Sequence, residues 1–242
     1  MTAVPELRND GIILNAHNDS EVAAHVAGED EETARRFGWW PTYSTEETVR
    51  AAYANWARNW QENGPVRAFA ARDPGSGALV GNCELRIGPD GRGEVSYWTH
   101  AGKRGRGYAR NALALLVGYA ASIGVTRLEA HVAPDNHASR HVAEAGGFTQ
   151  ADTFTDGDGT EFIRYTRDAS GDGAAPFTKL GSAASFVVAV TQGAGGLAPV
   201  TLHPPGTCQD TRPATRAWSL SAPIAKFAQE PEIRARFQMK PS

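Results

Sequence analysis

Apolar and polar positions keep two distinct rhythms over the first two thirds of the chain. Val49, Tyr53, Trp56 and Trp60 recur at four, three and four residues, which places them on one face of a helix. Ser44, followed three residues later by Glu47, supplies a capping-box pattern for its start. An earlier helix is predicted from about Asp19, where Asn18 or Asp19 can accept a hydrogen bond from the first free amides, after a strand over 11–16. Strands over 66–72 and 79–87, joined by Pro74-Gly75-Ser76-Gly77, and over 93–100, after a turn at 88–91, read as an antiparallel meander. Leu113, Leu116, Val117 and Ala120 then share one face of a helix over 107–123, with Gly124 as its stop. Leu128, Ala130 and Val132 alternate in a strand over 126–132, and a short helix over 138–145 ends at Gly146-Gly147. Strands over 148–154 and 160–167 flank Asp156-Gly157-Asp158-Gly159 as a closing hairpin. The order β-α-α-β-β-β-α-β-α-β-β predicts an α/β (α+β) domain over 1–168, with a mixed sheet and helices on its faces.

The rhythm is lost beyond that point. Residues 171–242 hold 8 of the 14 prolines and carry 7 Lys plus Arg against 4 Asp plus Glu, a net +3, whereas residues 1–170 carry 17 against 23, a net −6. Only 186–191 looks like a strand there and only 230–237 like a helix, so 169–242 is expected to be an irregular, poorly structured extension rather than a packed domain. Over all 242 residues the net charge is −3, which excludes a polybasic nucleic-acid binder, and no apolar run approaches the roughly 20 residues a membrane span requires. Cys83 and Cys208 are too far apart in sequence to suggest a zinc cluster or a disulfide framework. With no basic and apolar leader at the N-terminus, a soluble protein of the reducing cytosol is expected.

Candidate chemistry concentrates at Arg104, Gly105, Arg106, Gly107, Tyr108 and Ala109, between a strand end and a helix start. Free amides and the positive dipole end of a helix suit a phosphate, and glycine lets the backbone approach it. Neither nucleotide motif fits: a Rossmann loop needs G-x-G-x-x-G inside a parallel β-α-β unit, and Gly102-Lys103-Arg104 lacks the Ser or Thr of a Walker loop. An Arg- and Gly-rich surface turn is the alternative on the loop alone.

Arg104, Gly107 and Ala109 match the Arg/Gln-x-x-Gly-x-Gly/Ala motif of the GNAT acyltransferase superfamily, which residues 11–167 resemble. Pro134-Asp135-Asn136-His137-Ala138-Ser139 and Gly147-Phe148 match that family's Asn-bearing helix start and the start of its last hairpin. The resemblance implies a mostly antiparallel twisted sheet and acetyl-CoA as co-substrate. It puts the pyrophosphate on the 104–109 amides, the pantetheine arm on the splayed strand end at Trp98, Thr99 and His100, and Asn136 beside the cofactor. Glu94-Val95-Ser96-Tyr97-Trp98 and the Asn-x-x-Ser spacing are most similar to the branch that acetylates N-terminal amines of ribosomal proteins. Where many members carry a thiolate-protonating tyrosine this chain has Ala143, and the branch's proposed serine acid corresponds to Ser139. Ser139 as a mere first-turn residue is the bland alternative.

Acetyl transfer to an amine also needs an oxyanion donor, which a backbone amide near Trp98 can supply, and a proton acceptor. Glu84 is the first candidate, because it lies out of phase with Cys83, Leu85 and Ile87 and so projects to the other face; Glu94 is the second. Gly28-Glu29-Asp30-Glu31-Glu32 with Trp39 and Trp40 suits a cationic acceptor, or equally a helix start rich in acids over packed indoles. His131, Asp135, His137 and His141 do not form a zincin motif, so no metal is expected. Ser76, in a hairpin turn, is not at a nucleophile elbow. The expected function is acetyl-CoA-dependent N-acetylation of a primary amine by direct transfer. The acceptor is a small molecule such as an antibiotic, mildly preferred, or a protein N-terminus. The rival is a noncatalytic acyl-CoA-binding sensor. Neither nucleic acid nor membrane is an expected partner, and a homodimer is compatible with the reading.

Overall fold

A computed structural model of the chain describes residues 3–169 and 178–180. In chain order the elements are β1 (Glu6–Asn9), β2 (Ile12–Asn15), α1 (Val22–Gly28), α2 (Glu31–Arg36), α3 (Glu46–Gln61), β3 (Val66–Arg72), β4 (Leu79–Ile87) and β5 (Gly93–Thr99). They continue as α4 (Tyr108–Ser122), β6 (Arg127–Val132), α5 (His137–Ala145), β7 (Thr149–Thr155), β8 (Glu161–Asp168) and β9 (Thr178–Leu180). The strands form one sheet in the order β7-β8-β6-β5-β4-β3-β2-β1-β9. Neighbours are antiparallel except β5 and β6, which run parallel.

Most predicted elements stand within a residue or two of their expected bounds, and the departures have physical reasons. The helix α3 is capped by Thr45 and Thr48, not by Ser44 and Glu47: the Thr45 hydroxyl accepts from the Thr48 amide at 3.2 Å, and the Thr48 hydroxyl accepts from the Thr45 amide at 2.9 Å. Ser44 lies one residue too early, since the capping side chain belongs to the residue just before the first helical one. β1 was not expected because Leu7 is its one fully buried apolar side chain. It is turned into β2 by Asn9, whose side-chain oxygen accepts from the amides of Gly11 and Ile12. α2 begins at the run of acids, with Asp30 as its N-cap, so these acids do open a helix. β9 pairs antiparallel with β1, so part of the region expected to be irregular continues the sheet; 186–191 and 230–237 lie outside the described residues.

The two sheet faces are covered differently. Leu7, Leu14, Phe69, Cys83 and Leu85 pack with Leu113, Leu116, Val117 and Ala120 of α4, the four positions predicted to face inward. On the other face Val49, Tyr53 and Trp56 of α3 pack with Val22, Val66 and Ala68. Trp60, one turn further along α3, joins the larger cluster through Phe69 and Tyr119. Among the described residues no helix is long and apolar enough to cross a membrane.

Candidate active site

β5 and β6 pair only at Gly93–Leu128 and Glu94–Glu129, although β5 runs on to Thr99 and β6 to Val132. The strands therefore part after two residue pairs. From Val95 onward the β6-facing edge of β5 has no strand partner among the described residues, while its other edge stays bonded to β4 through Asn82–Trp98 and Gly81–Thr99. Open amide and carbonyl groups on such an edge are ready to pair with an extended ligand.

At the end of that edge a short turn leads through Arg104, Gly105 and Arg106 to Gly107, the N-cap of α4. Gly105 and Gly107 hold φ of +76° and +80°, left-handed conformations that favour glycine. No side chain caps α4, so the amides at Tyr108 and Ala109 lack an intrahelical acceptor. An exposed, uncapped N-terminus of a 15-residue helix beside an unpaired strand edge fits a pyrophosphate joined to an arm of amides.

The side chains around this backbone do other work. Arg104 donates to Asp30 through both terminal nitrogens at 2.7 Å, to Glu32 at 3.0 Å and to the Thr33 hydroxyl at 2.9 Å, so it clamps the start of α2 to the loop. That hydrogen bonding holds the Asp30 carboxyl well below its usual range. Tyr108 donates from its hydroxyl to Asp73 in the β3–β4 turn. Asn136 caps α5, its side-chain oxygen accepting from the Ser139 amide at 3.0 Å. Tyr97 spans from β5 to α5 and donates to the Ser139 carbonyl at 3.2 Å. Those two bonds leave the hydroxyl as the remaining polar group of half-buried Ser139, at the α5 side of the gap between β5 and β6.

The acid-and-tryptophan segment is largely self-neutralised. Besides Asp30 and Glu32, Glu31 pairs with Arg35 at 2.7 Å, and Arg36 pairs with Asp135 at 2.6 Å. Arg35 also lies 4.4 Å over the Trp40 ring, which occupies a face expected to meet a cationic acceptor. Trp39 stacks on Phe37 at 5.2 Å, with its indole nitrogen buried and without a partner. Glu84 projects to the face expected of it, but both oxygens are engaged, by Trp56 Nε1 at 3.1 Å and by Arg86 at 2.8 Å. Burial nevertheless pushes its carboxyl up. Glu94 faces His131 at 3.4 Å.

Residues 12–149 match the family described as acetyltransferase (GNAT) domain. This chain belongs to the GNAT acetyltransferase family. Its fold is similar to that of Mycobacterium smegmatis RimJ in complex with CoA-disulfide, at 20% identity and a TM-score of 0.59, covering 71% of this chain and 90% of that one. It is similar to RimL, the ribosomal L7/L12 alpha-N-protein acetyltransferase in complex with coenzyme A, at 20% identity and a TM-score of 0.58, covering 66% and 95%. A spermidine N-acetyltransferase SpeG chimera from Vibrio cholerae and hSSAT aligns at 18% identity and a TM-score of 0.53, covering 66% and 96%. No curated protein matches the chain by sequence.

The GNAT acetyltransferase also gathers polar residues that the motifs did not indicate. His17 packs against the rings of Tyr53 and Trp56, at 4.6 and 4.5 Å, with Nε2 2.7 Å from the Asn82 side-chain oxygen. His25 sits 3.0 Å from the Tyr53 hydroxyl, 3.6 Å from Glu29 and edge-on to Trp98 at 4.8 Å. The one sequence signal for this cluster is that His17 and His25 flank the first helix start. Nothing in their spacing names Tyr53 or Asn82 as partners. Among the described residues no group of three His, Cys, Asp or Glu side chains could hold a metal ion.

Burial, opposed by the Asn82 hydrogen bond and aided by the charges of His25 and Arg72, lowers the His17 pKa from 6.5 to about 3. The unfolded chain therefore binds a proton at His17 below pH 6.5 that the folded chain refuses until about pH 3. This contribution to stability is whole above pH 6.5 and declines as pH falls toward 3. The ring is partly solvent-accessible, so about 2 kcal/mol lost by pH 5 is an upper bound. Urea melts at pH 7.5 and 5.0 should show a steeper fall for the wild type than for His17→Gln. Equal falls would exclude His17 as the source.

Proposed function

We propose that this GNAT acetyltransferase moves an acetyl group from acetyl-CoA directly to a single primary amine on a small molecule or a peptide N-terminus, in the cytosol. The observation that carries the reading is the uncapped start of α4 at the end of the unpaired β5 edge. The amides at Tyr108 and Ala109, with Gly107 and Gly105 shaping the approach and Arg106 adding charge, would hold the pyrophosphate. The β5 edge at Trp98 and Thr99 would pair with the pantetheine arm, and an amide there would stabilise the charge that develops on the acetyl oxygen. The cofactor supplies an activated thioester; the chain supplies orientation, exclusion of water and a path for protons. Ser139, beside the gap, is the candidate donor to the leaving sulfur.

The RimL likeness supports a peptide amine, and the SpeG likeness a small one. The charge pattern argues against a polyamine. A polycation is drawn by unpaired carboxylates, whereas Asp30, Glu31 and Glu32 are matched by Arg104 and Arg35. Thiol release from acetyl-CoA should therefore be measured against peptides with different N-termini, aminoglycosides and spermidine, with calorimetry of acetyl-CoA binding alongside. Turnover with a peptide or monoamine, exceeding that with spermidine, is expected. Tight acetyl-CoA binding without turnover on any amine would favour a sensor instead. Absence of acetyl-CoA binding would defeat both readings.

A further inference from the structure

We infer that Glu29 is the catalytic residue that takes the proton from the acceptor amine, an assignment that rests on the N-acetyltransferase reading above. Glu29 closes α1 as its C-cap, and its side chain is only 4% exposed. One carboxylate oxygen lies 3.6 Å from His25 Nε2. The other, Oε2, is buried and has no hydrogen-bond partner. Among the described residues it is the one buried carboxylate oxygen in that state. An acceptor atom left without a donor in a dry site is costly, and such atoms mark places where a ligand completes the bonding.

The carboxylate is held for that purpose. Burial pushes the Tyr53 phenol up, and its hydroxyl lies 3.0 Å from His25 Nδ1 in a buried hydrogen bond. His25 Nε2 then faces Glu29. Tyr53 and His25 thus line one side of the carboxylate, and Oε2 is left for an N–H donor.

Its position matches the chemistry. His25 packs against Trp98, and Gly28 makes room for His100, since a Cβ there would lie 2.4 Å from the His100 ring. Glu29 therefore adjoins the last residues of β5, where the thioester end of the cofactor is proposed to lie. His100 Nδ1 is likewise buried without a partner, a second site for a polar atom of the acceptor. Other nearby carboxylates are engaged: Glu84 by Trp56 and Arg86, Glu94 by His131, and Asp30 by Arg104. The titratable and charged groups around Glu29 are His25 on α1, Tyr53 on α3, His100 and Lys103 after β5, and the adjoining Asp30–Arg104 pair.

The protons balance as follows. The acceptor's ammonium gives one proton to Glu29 Oε2, which frees the nitrogen lone pair. The nitrogen bonds to the acetyl carbon and the carbon–sulfur bond breaks. Sulfur keeps that bond's electron pair and takes a proton from the Ser139 hydroxyl, which regains one from the nitrogen's second N–H, giving amide and free thiol. Glu29 returns its proton to solvent.

Glu29→Gln tests the assignment. Acetyl-CoA affinity by calorimetry should stay within about twofold, while kcat/KM for the amine falls by roughly 10² to 10⁴ at pH 7. The deficit should shrink as pH rises toward the amine's own pKa, because more of the amine then arrives neutral. Glu29→Asp should recover part of the rate, and Glu62→Gln, at an exposed residue that closes α3, should match wild type. Retention of activity within about threefold by Glu29→Gln would overturn the proposal, as would a parallel loss of acetyl-CoA affinity, which marks a structural role. A wild-type protein that binds acetyl-CoA but acetylates no amine would instead defeat the underlying reading.

Discussion

Gly107→Val is expected to weaken acetyl-CoA binding by about one to two orders of magnitude while leaving the fold intact. Gly107 holds φ at +80° as the N-cap of α4. A Cβ there would meet only Asn111 Nδ2, at 3.7 Å, so the cost is conformational rather than a clash. For a β-branched residue that conformation costs about 1–3 kcal/mol. The chain can relieve the strain by rotating φ to negative values, but this re-aims the amides that open α4, the groups proposed to hold the pyrophosphate. Since about 1.4 kcal/mol is tenfold in affinity, the expected loss follows directly. Calorimetry with acetyl-CoA checks it. Unchanged affinity in a folded variant would mean that these amides do not hold the cofactor.

Phe69→Ala should be the most damaging single truncation away from the site, costing about 3–5 kcal/mol. Phe69 is fully buried on β3 and meets Trp60 of α3 edge-on at 5.2 Å and Tyr119 of α4 at 5.4 Å. Trp60 is held in place by donating its indole N–H to the Ala68 carbonyl at 2.9 Å, so it is poorly placed to collapse into the space left behind. A residual cavity adds its own cost to the lost transfer energy. Thermal unfolding should shift down by roughly 10 °C or more for a domain of this size. A shift of only one or two degrees would show that the aromatic cluster repacks.

The meander, the hairpin, the faces of α3 and α4 and the place of the glycine loop are legible in the order of residues. Each of these is a local property. Val49, Tyr53, Trp56 and Trp60 recur with the helical period, strand residues alternate, and Gly107 and Gly124 occupy left-handed positions that favour glycine. Tertiary structure alone decided what the polar side chains do, because their partners are distant in sequence. Arg104 matches a phosphate-binding pattern, yet it bonds Asp30, 74 residues away. Strand parity put Glu84 on the correct face, but only packing brought Trp56 and Arg86 to its two oxygens. α2 was legible only as an alternative, a helix start at its run of acids, because its six residues are held to the rest of the domain by Arg104 and Asp135, not by a periodic apolar stripe. Glu29 sits in a run of acids with no local feature to single it out. What distinguishes it is burial beside His25 with one oxygen left unbonded, and burial is a property of the assembled fold.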